Sequence, residues 1–316
     1  MRAILQTRYG GPDDLILTDL PLPEPARGEV RVRVRACGVN LSDWEGLTGS
    51  PFYARISGGV TRLRPRVLGS DIVGEITALG PEVDGPALGT RVLADVVMAP
   101  CGFAEYACLP VKALARVPGD LSDDVAASLP QSGPIAMAGT RGLGAGDRQL
   151  INGAGGGAGQ RAVALAQATG AHVPAVDRGA KLQWLRDHGA DETIDYETED
   201  FATGGQRWTH ILDLVARRGP AAIARCLAPG GRYRSVGGRT RTLLALAADG
   251  LPYRLVGKSI GVLVVPTGPE ALSAAATLVT EGTLSPEVET VGLDDVPEAL
   301  RRVGAGEVRG KLVIRP

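Results

Sequence analysis

Residues 151–178 read INGAGGGAGQRAVALAQATGAHVPAVDR, with glycines at Gly153, Gly155, Gly156, Gly157 and Gly159. A flexible linker sits in polar, aperiodic sequence. This run instead follows a short apolar stretch, RQLING (148–153), and leads into RAVALAQATG, whose apolar residues recur at helical spacing up to a C-capping Gly170. A strand–glycine–helix arrangement of this kind lets the backbone turn tightly and approach a ligand closely. The unpaired N–H groups at the helix start then suit a pyrophosphate. The best register is Ala154-x-Gly156-x-x-Gly159, so the candidate cradle is Ala154, Gly155, Gly156, Gly157, Ala158 and Gly159. The competing reading, a purely structural turn, accounts less well for the second strand that follows and ends in an acid.

That acid is Asp177, eighteen residues beyond Gly159. A carboxylate there would accept bonds from the adenosine ribose hydroxyls and favour NAD, whereas the adjacent Arg178 would hold a 2′-phosphate and favour NADP. The bland alternative for both is a solvated turn. Pro174 falls inside the expected strand AHVPAVD, where a parallel strand flanked on both sides should lose a ladder bond.

Beyond Asp177 the alternation continues through AKLQWLRDHGA, DETIDY, THILDLV, PAAIARCLAPGG and RYRSVGG to a very apolar last strand, SIGVLVV (259–265). Strand–helix alternation predicts a parallel sheet covered on both faces, and SIGVLVV is expected at its edge. The first third has another rhythm. Val and Arg alternate from Val30 to Arg35, and Ser70–Gly80 and Gly102–Pro110 are further strand candidates, punctuated by Gly and Pro as in small barrels. The tail from Asp294 holds one helix and one closing strand, too little to fold alone, and is expected to return to the first domain.

Composition excludes several classes. A net charge of −1 gives no pull toward nucleic acid or an anionic membrane. No apolar run is long enough to span a bilayer, and the start lacks the apolar core of a signal peptide, so a soluble cytoplasmic protein is the expectation. Cys37, Cys101, Cys108 and Cys226 form no CxxC pair and are expected to be semi-buried thiols rather than a zinc knuckle.

With the cradle in place, the chain resembles the medium-chain dehydrogenase/reductase superfamily, and within it the zinc-independent, quinone oxidoreductase-like branch. The likeness runs over nearly the whole length and is carried by YGGPDDLIL, ACGVNLSDWEGLTGSPF, RPRVLGSDIVGEITALG, GGAGQRAVALAQATGA, HGADETIDYETEDF, LAPGGRYRSVGG and GEVRGKLVI. It implies an α/β fold: a Rossmann doubly wound parallel sheet (119–266) plus a GroES-like, β-rich catalytic domain built from 1–118 and completed by 267–316, with the active site in the cleft. It further implies a homodimer through SIGVLVV, and NADPH or NADH as cofactor with a lean toward NADPH. Lys181, Val215, Val236, Gly237 and Lys311 complete the candidate cofactor-binding set.

Zinc-dependent members of the superfamily hold a catalytic metal with Cys and His. Here those places read Asn40 and Leu41 in ACGVNLSD and Ser70-Asp71 in LGSD, while His172, His188 and His210 all fall in the nucleotide half. The expectation is chemistry without zinc. Hydride transfer without a Lewis acid suits quinones and enones, which are already electrophilic, and the developing oxyanion needs donors and a proton. The resemblance places Asn40 to Tyr53 at the substrate. Asn40, Ser42 and Tyr53 are candidate donors, with Asp43 orienting a neighbour or relaying a proton. The alternatives are a loop-bonding Asn40, a helix-capping Asp43 and a Tyr53 that only packs. Where the family often shows a Thr, SGPIAMAG has Pro134-Ile135, with Ser132 a possible substitute, and ILDLVA has Ala216 where Gly is common. These departures leave room for a natural-product tailoring enzyme, a redox-neutral transformation, or a non-catalytic dinucleotide-binding protein.

Overall fold

A computed structural model describes all residues except 249 and 250. Along the chain run β1 (Arg2–Gln6), β2 (Leu15–Asp19), β3 (Glu29–Gly38), α1 (Leu41–Thr48), β4 (Arg66–Val67), β5 (Asp71–Leu79), β6 (Arg91–Asp95), β7 (Tyr106–Pro110), β8 (Leu114–Arg116), α2 (Asp123–Ala127) and α3 (Ser132–Gly139). There follow β9 (Gln149–Asn152), α4 (Gly157–Ala168), β10 (Pro174–Asp177), α5 (Leu182–Asp187), β11 (Glu192–Asp195), β12 (Trp208–Asp213), α6 (Pro220–Cys226), β13 (Leu227–Ser235), α7 (Thr240–Ala248) and β14 (Ser259–Val262). The last four are α8 (Pro269–Thr280), β15 (Val288–Gly292), α9 (Val296–Gly304) and β16 (Lys311–Arg315).

The chain forms two compact units, residues 1–134 with 267–316, and residues 135–266. The first runs past the boundary expected after residue 118 because α2 belongs to it. Ala126 and Ala127 on α2 are fully buried, and the helix packs on β3 and β5. The tail returns to this unit as expected: β16 pairs antiparallel with β3 and parallel with β15.

The sheet of the first unit has the order β15-β16-β3-β5-β6-β8, with β7 also on β3. The alternation in β3 has the expected result: Val30, Val32 and Val34 are buried, whereas Arg33 and Arg35 face water. Their partners in the core include Ile72, Ile76, Val92, Leu109, Leu300 and Leu312. At one end of the sheet, pairing brings Gly38 opposite Asp71, Asp71 opposite Asp95, and Val313 opposite Gly38. Residues remote in sequence thus form one row across four strands.

The second unit is the expected parallel sheet, ordered β11-β10-β9-β12-β13-β14. Its strand order reverses between β9 and β12, the kind of switch point at which open α/β sheets bind ligands beyond the carboxyl ends of their strands. β14 is the edge strand but stops at Val262, shorter than the expected 259–265, and Val264 beyond it is 88 % exposed. Pro174 is explained by register. Strand β10 begins at the proline, so its missing N–H costs no ladder bond, and the Val173 N–H just before it donates to Asp191 Oδ2 at 2.7 Å.

Candidate functional site

In the second unit the glycine run does what its spacing predicts. Gly153 turns the chain at φ +85°, Gly156 caps the helix in an extended conformation, and α4 starts at Gly157. A Cβ on Gly159 would lie 2.4 Å from the Gly153 carbonyl and 2.6 Å from Ala154 Cα, so only glycine lets the helix approach the turn this closely. Ala154 is fully buried in the core beneath. At Gly156 an added Cβ meets nothing nearer than 3.9 Å, leaving the backbone there open to a ligand. The residues present therefore fit a dinucleotide pyrophosphate at the start of α4.

Asp177 sits at the carboxyl end of β10, 7 % exposed. Its Oδ2 accepts the Gly155 N–H at 2.7 Å, its Oδ1 accepts the Arg178 N–H at 2.9 Å, and Lys181 Nζ lies 3.7 Å from Oδ1. Gly155 has no room for a side chain, since a Cβ would lie 2.5 Å from Lys181 Cδ and 2.9 Å from Asp177 Oδ2. The Arg178 guanidinium lies 4.0 Å from the Glu197 carboxylate. Val215, Val236 and Gly237 follow the carboxyl ends of β12 and β13, which register beside Asn152 at the end of β9.

The residue that ties these strand ends together, Asp213, was not singled out from sequence. It is fully buried. Its Oδ1 accepts Asn152 Nδ2 at 2.8 Å and the N–H groups of Val215 and Ala216 at 3.0 and 2.8 Å, and its Oδ2 accepts the Tyr233 hydroxyl at 2.8 Å. Ala216, where glycine is common in the family, adopts φ +48°.

In the first unit, Asn40 N-caps α1 and is 9 % exposed. Its Oδ1 accepts a hydrogen bond from Lys311 Nζ, whereas its Nδ2 is buried without a partner. Lys311, the first residue of β16, also donates to Asp71 Oδ2 at 3.2 Å, and Asp71 Oδ1 is buried without a partner. Lys311 is thus placed with Asn40 and Asp71 within the first unit. Asp43 caps the start of α1: Oδ2 accepts the Asn40 N–H at 2.8 Å and Oδ1 the Gly69 N–H at 3.1 Å. Burial raises its carboxyl to about 7, against the lowering effect of those bonds. The Tyr53 hydroxyl donates to Glu45, 3.0 Å from Oε1. Burial likewise lifts Glu45 to about 7.

Ser42 Oγ donates to Gln131 Oε1 at 3.1 Å, and Gln131 Nε2 donates to Ser70 Oγ at 2.7 Å. Gln131 was missed because nothing in its local pattern signals a link to residues some sixty to ninety positions away. Ser132 Oγ is occupied, donating to the Ser128 carbonyl at 2.5 Å. Among the described residues no group of three His, Cys, Asp or Glu is arranged to hold a metal, and no helix is long and apolar enough to cross a membrane.

Residues 26–119 match the alcohol dehydrogenase GroES-like domain, and residues 188–314 match a zinc-binding dehydrogenase domain. The quinone oxidoreductase from Coxiella burnetii superposes with a TM-score of 0.88 at 29% identity, covering 100% of this chain and 99% of that one. The chain is a medium-chain dehydrogenase/reductase. It falls in the quinone oxidoreductase-like branch of that superfamily, an oxidoreductase group with a nicotinamide cofactor. The chloroplastic quinone-oxidoreductase QR1 of Triphysaria versicolor is 28% identical over 100% of the chain and 98% of its own length. A mycocerosic acid synthase-like polyketide synthase of Mycobacterium tuberculosis is 32% identical over 92% of the chain, which spans only 14% of that much longer protein.

Proposed function

We propose that this medium-chain reductase transfers hydride from NADH to a quinone or an α,β-unsaturated carbonyl, without zinc. The observation that carries this reading is the Asn40 side chain, a buried amide donor left without a partner. An unsatisfied buried donor costs about 1–3 kcal/mol, so its retention calls for a partner supplied by a bound reactant. A reduced nicotinamide, when bound, supplies the hydride. Asn40 Nδ2 then donates to the oxygen that gains charge, and one well-aimed donor of this kind is worth about 3 kcal/mol in the transition state. The positions that would carry Cys and His ligands hold Asn40, Leu41 and Ser70-Asp71, a set that offers zinc neither thiolate nor imidazole and only one carboxylate, which is already paired with Lys311.

Asp177 supports NADH over NADPH, against the lean of the family. A buried carboxylate held by two backbone amides accepts from a ribose diol but repels a 2′-phosphate. Likeness to a segment of a polyketide synthase supports a polyketide-type enone among the substrates. The exposed edge of β14 supports pairing with a second copy of the chain.

The test is cofactor consumption by purified protein against a simple quinone and a simple enone, with fluorescence titration of NADH and NADPH and elemental analysis for zinc. Turnover with NADH and no stoichiometric zinc supports the proposal. Dinucleotide binding without turnover on a broad panel would overturn it in favour of a redox-neutral or non-catalytic role.

A further inference from the structure

Three strands converge on Asn40, and what they bring there defines the orientation of its amide. Gly38 closes β3 opposite Asp71, which opens β5, and Lys311 opens β16 two residues before Val313, the residue opposite Gly38. The Lys311 side chain crosses above Gly38. A Cβ on Gly38 would lie 3.0 Å from Lys311 Cε, 3.2 Å from Asp71 Cβ and 2.3 Å from the Ala127 carbonyl. The lysine is 4 % exposed and Asp71 is fully buried, so both ends of the ion pair are removed from water. Asp71 Oδ2 takes a second bond from the Gln131 N–H at 3.3 Å, which fixes the carboxylate.

An ammonium has three donors and no acceptor. Only the oxygen of the Asn40 amide can therefore face Lys311 Nζ, and the NH₂ group must face the other way. An unrestrained asparagine presents either end to a ligand. This one presents only its donor, and the charge on the lysine polarises the amide so that its N–H groups donate more strongly.

We infer that Lys311, held by Asp71, is a positioning residue that locks Asn40 in the orientation in which Nδ2 serves as the donor to the reacting oxygen. The inference rests on the proposed role of Asn40.

The decisive experiment is a double-mutant cycle on the full chain, with kcat measured against a quinone and NADH and NADPH affinities read by fluorescence. Lys311→Met leaves Asp71 as an unpaired buried carboxylate and can fail to fold, so the working variant is Lys311→Met combined with Asp71→Asn, and both are checked by thermal melting. In the wild-type background the paired variant should lower kcat tenfold or more while changing dinucleotide affinity less than twofold. In an Asn40→Ala background it should lower kcat less than twofold, because its target is already gone. Equal losses in the two backgrounds would overturn the positioning role, as would a large loss of dinucleotide affinity. If Asn40→Ala alone left kcat unchanged, the donor reading itself would fall, a result separable from additivity in the cycle.

Discussion

At the scale of single residues, two positions carry predictions that do not depend on each other. Asp177→Ser removes the carboxylate that repels a 2′-phosphate and leaves Arg178 and Lys181 nearby. The ratio of NADPH to NADH affinity should rise tenfold or more, measured by fluorescence titration; an unchanged ratio would show that Asp177 only supports the Gly155 turn. Ala216 holds a left-handed backbone at φ +48°. That conformation costs an L-residue about 1–2 kcal/mol, part of which glycine gives back through its looser unfolded chain. Ala216→Gly should therefore stabilise the protein by about 0.5–1 kcal/mol in urea denaturation, provided the Asp213 bonds to the Val215 and Ala216 N–H groups persist. Legibility also divides at this scale. Asp177 could be picked out because it lies at a strand tip a fixed distance beyond the glycine turn, and Asn40 because the family resemblance places its segment at the substrate. Asp213 and Gln131 could not, because their importance comes from partners on other strands.

At the scale of elements, the glycine run, α4 and β10 form one device. Local rules predicted it because every constraint on it, from turn to helix start to strand tip, lies within about thirty residues. Edge strand β14 is the opposite case. Its apolar composition was visible, but its length was not, since four residues pair with β13 and the chain then leaves the sheet. Val262 and Val264 remain exposed at and beyond this strand, and on the neighbouring β13 burial together with Arg232 and Arg254 holds Arg234 below its ordinary value. If two copies pair through β14, Val262→Glu with Val264→Glu should give a monomer by analytical ultracentrifugation. A dimer unaffected by the substitutions would place the interface elsewhere.

At the scale of the whole molecule, three carboxyls of the first unit, the buried Asp43 and the half-buried Glu45 and Asp95, are each raised to about 7, chiefly by loss of water around them. For Asp95 the neighbouring Asp71 charge adds to that rise. The unfolded chain releases these protons near pH 4, whereas the folded chain keeps them to about pH 7. Between those values the folded state binds more protons, so stability falls as pH rises and levels off above about 7. Asp95→Asn mimics the protonated form and keeps an oxygen to accept the Val97 N–H. Relative to wild type it should be near neutral at pH 4 and stabilising by on the order of 1 kcal/mol or more at pH 8. A difference that does not grow with pH would show that Asp95 is ionised at little cost in the folded protein.

What this sequence determined alone is whatever its near neighbours constrain: the period of β3, the strand–glycine–helix cradle, the alternation that makes a parallel sheet, and the acid at its tip. What only tertiary structure decided is where distant segments meet. Lys311 and Asp71 are 240 residues apart, and no local pattern links them. The register of β16 on β3 and of β3 on β5 brings them together, and with them the buried amide of Asn40. Periodicity and turn chemistry act within a few residues and are written in the chain, whereas burial and register act across it and exist only once the sheet has formed.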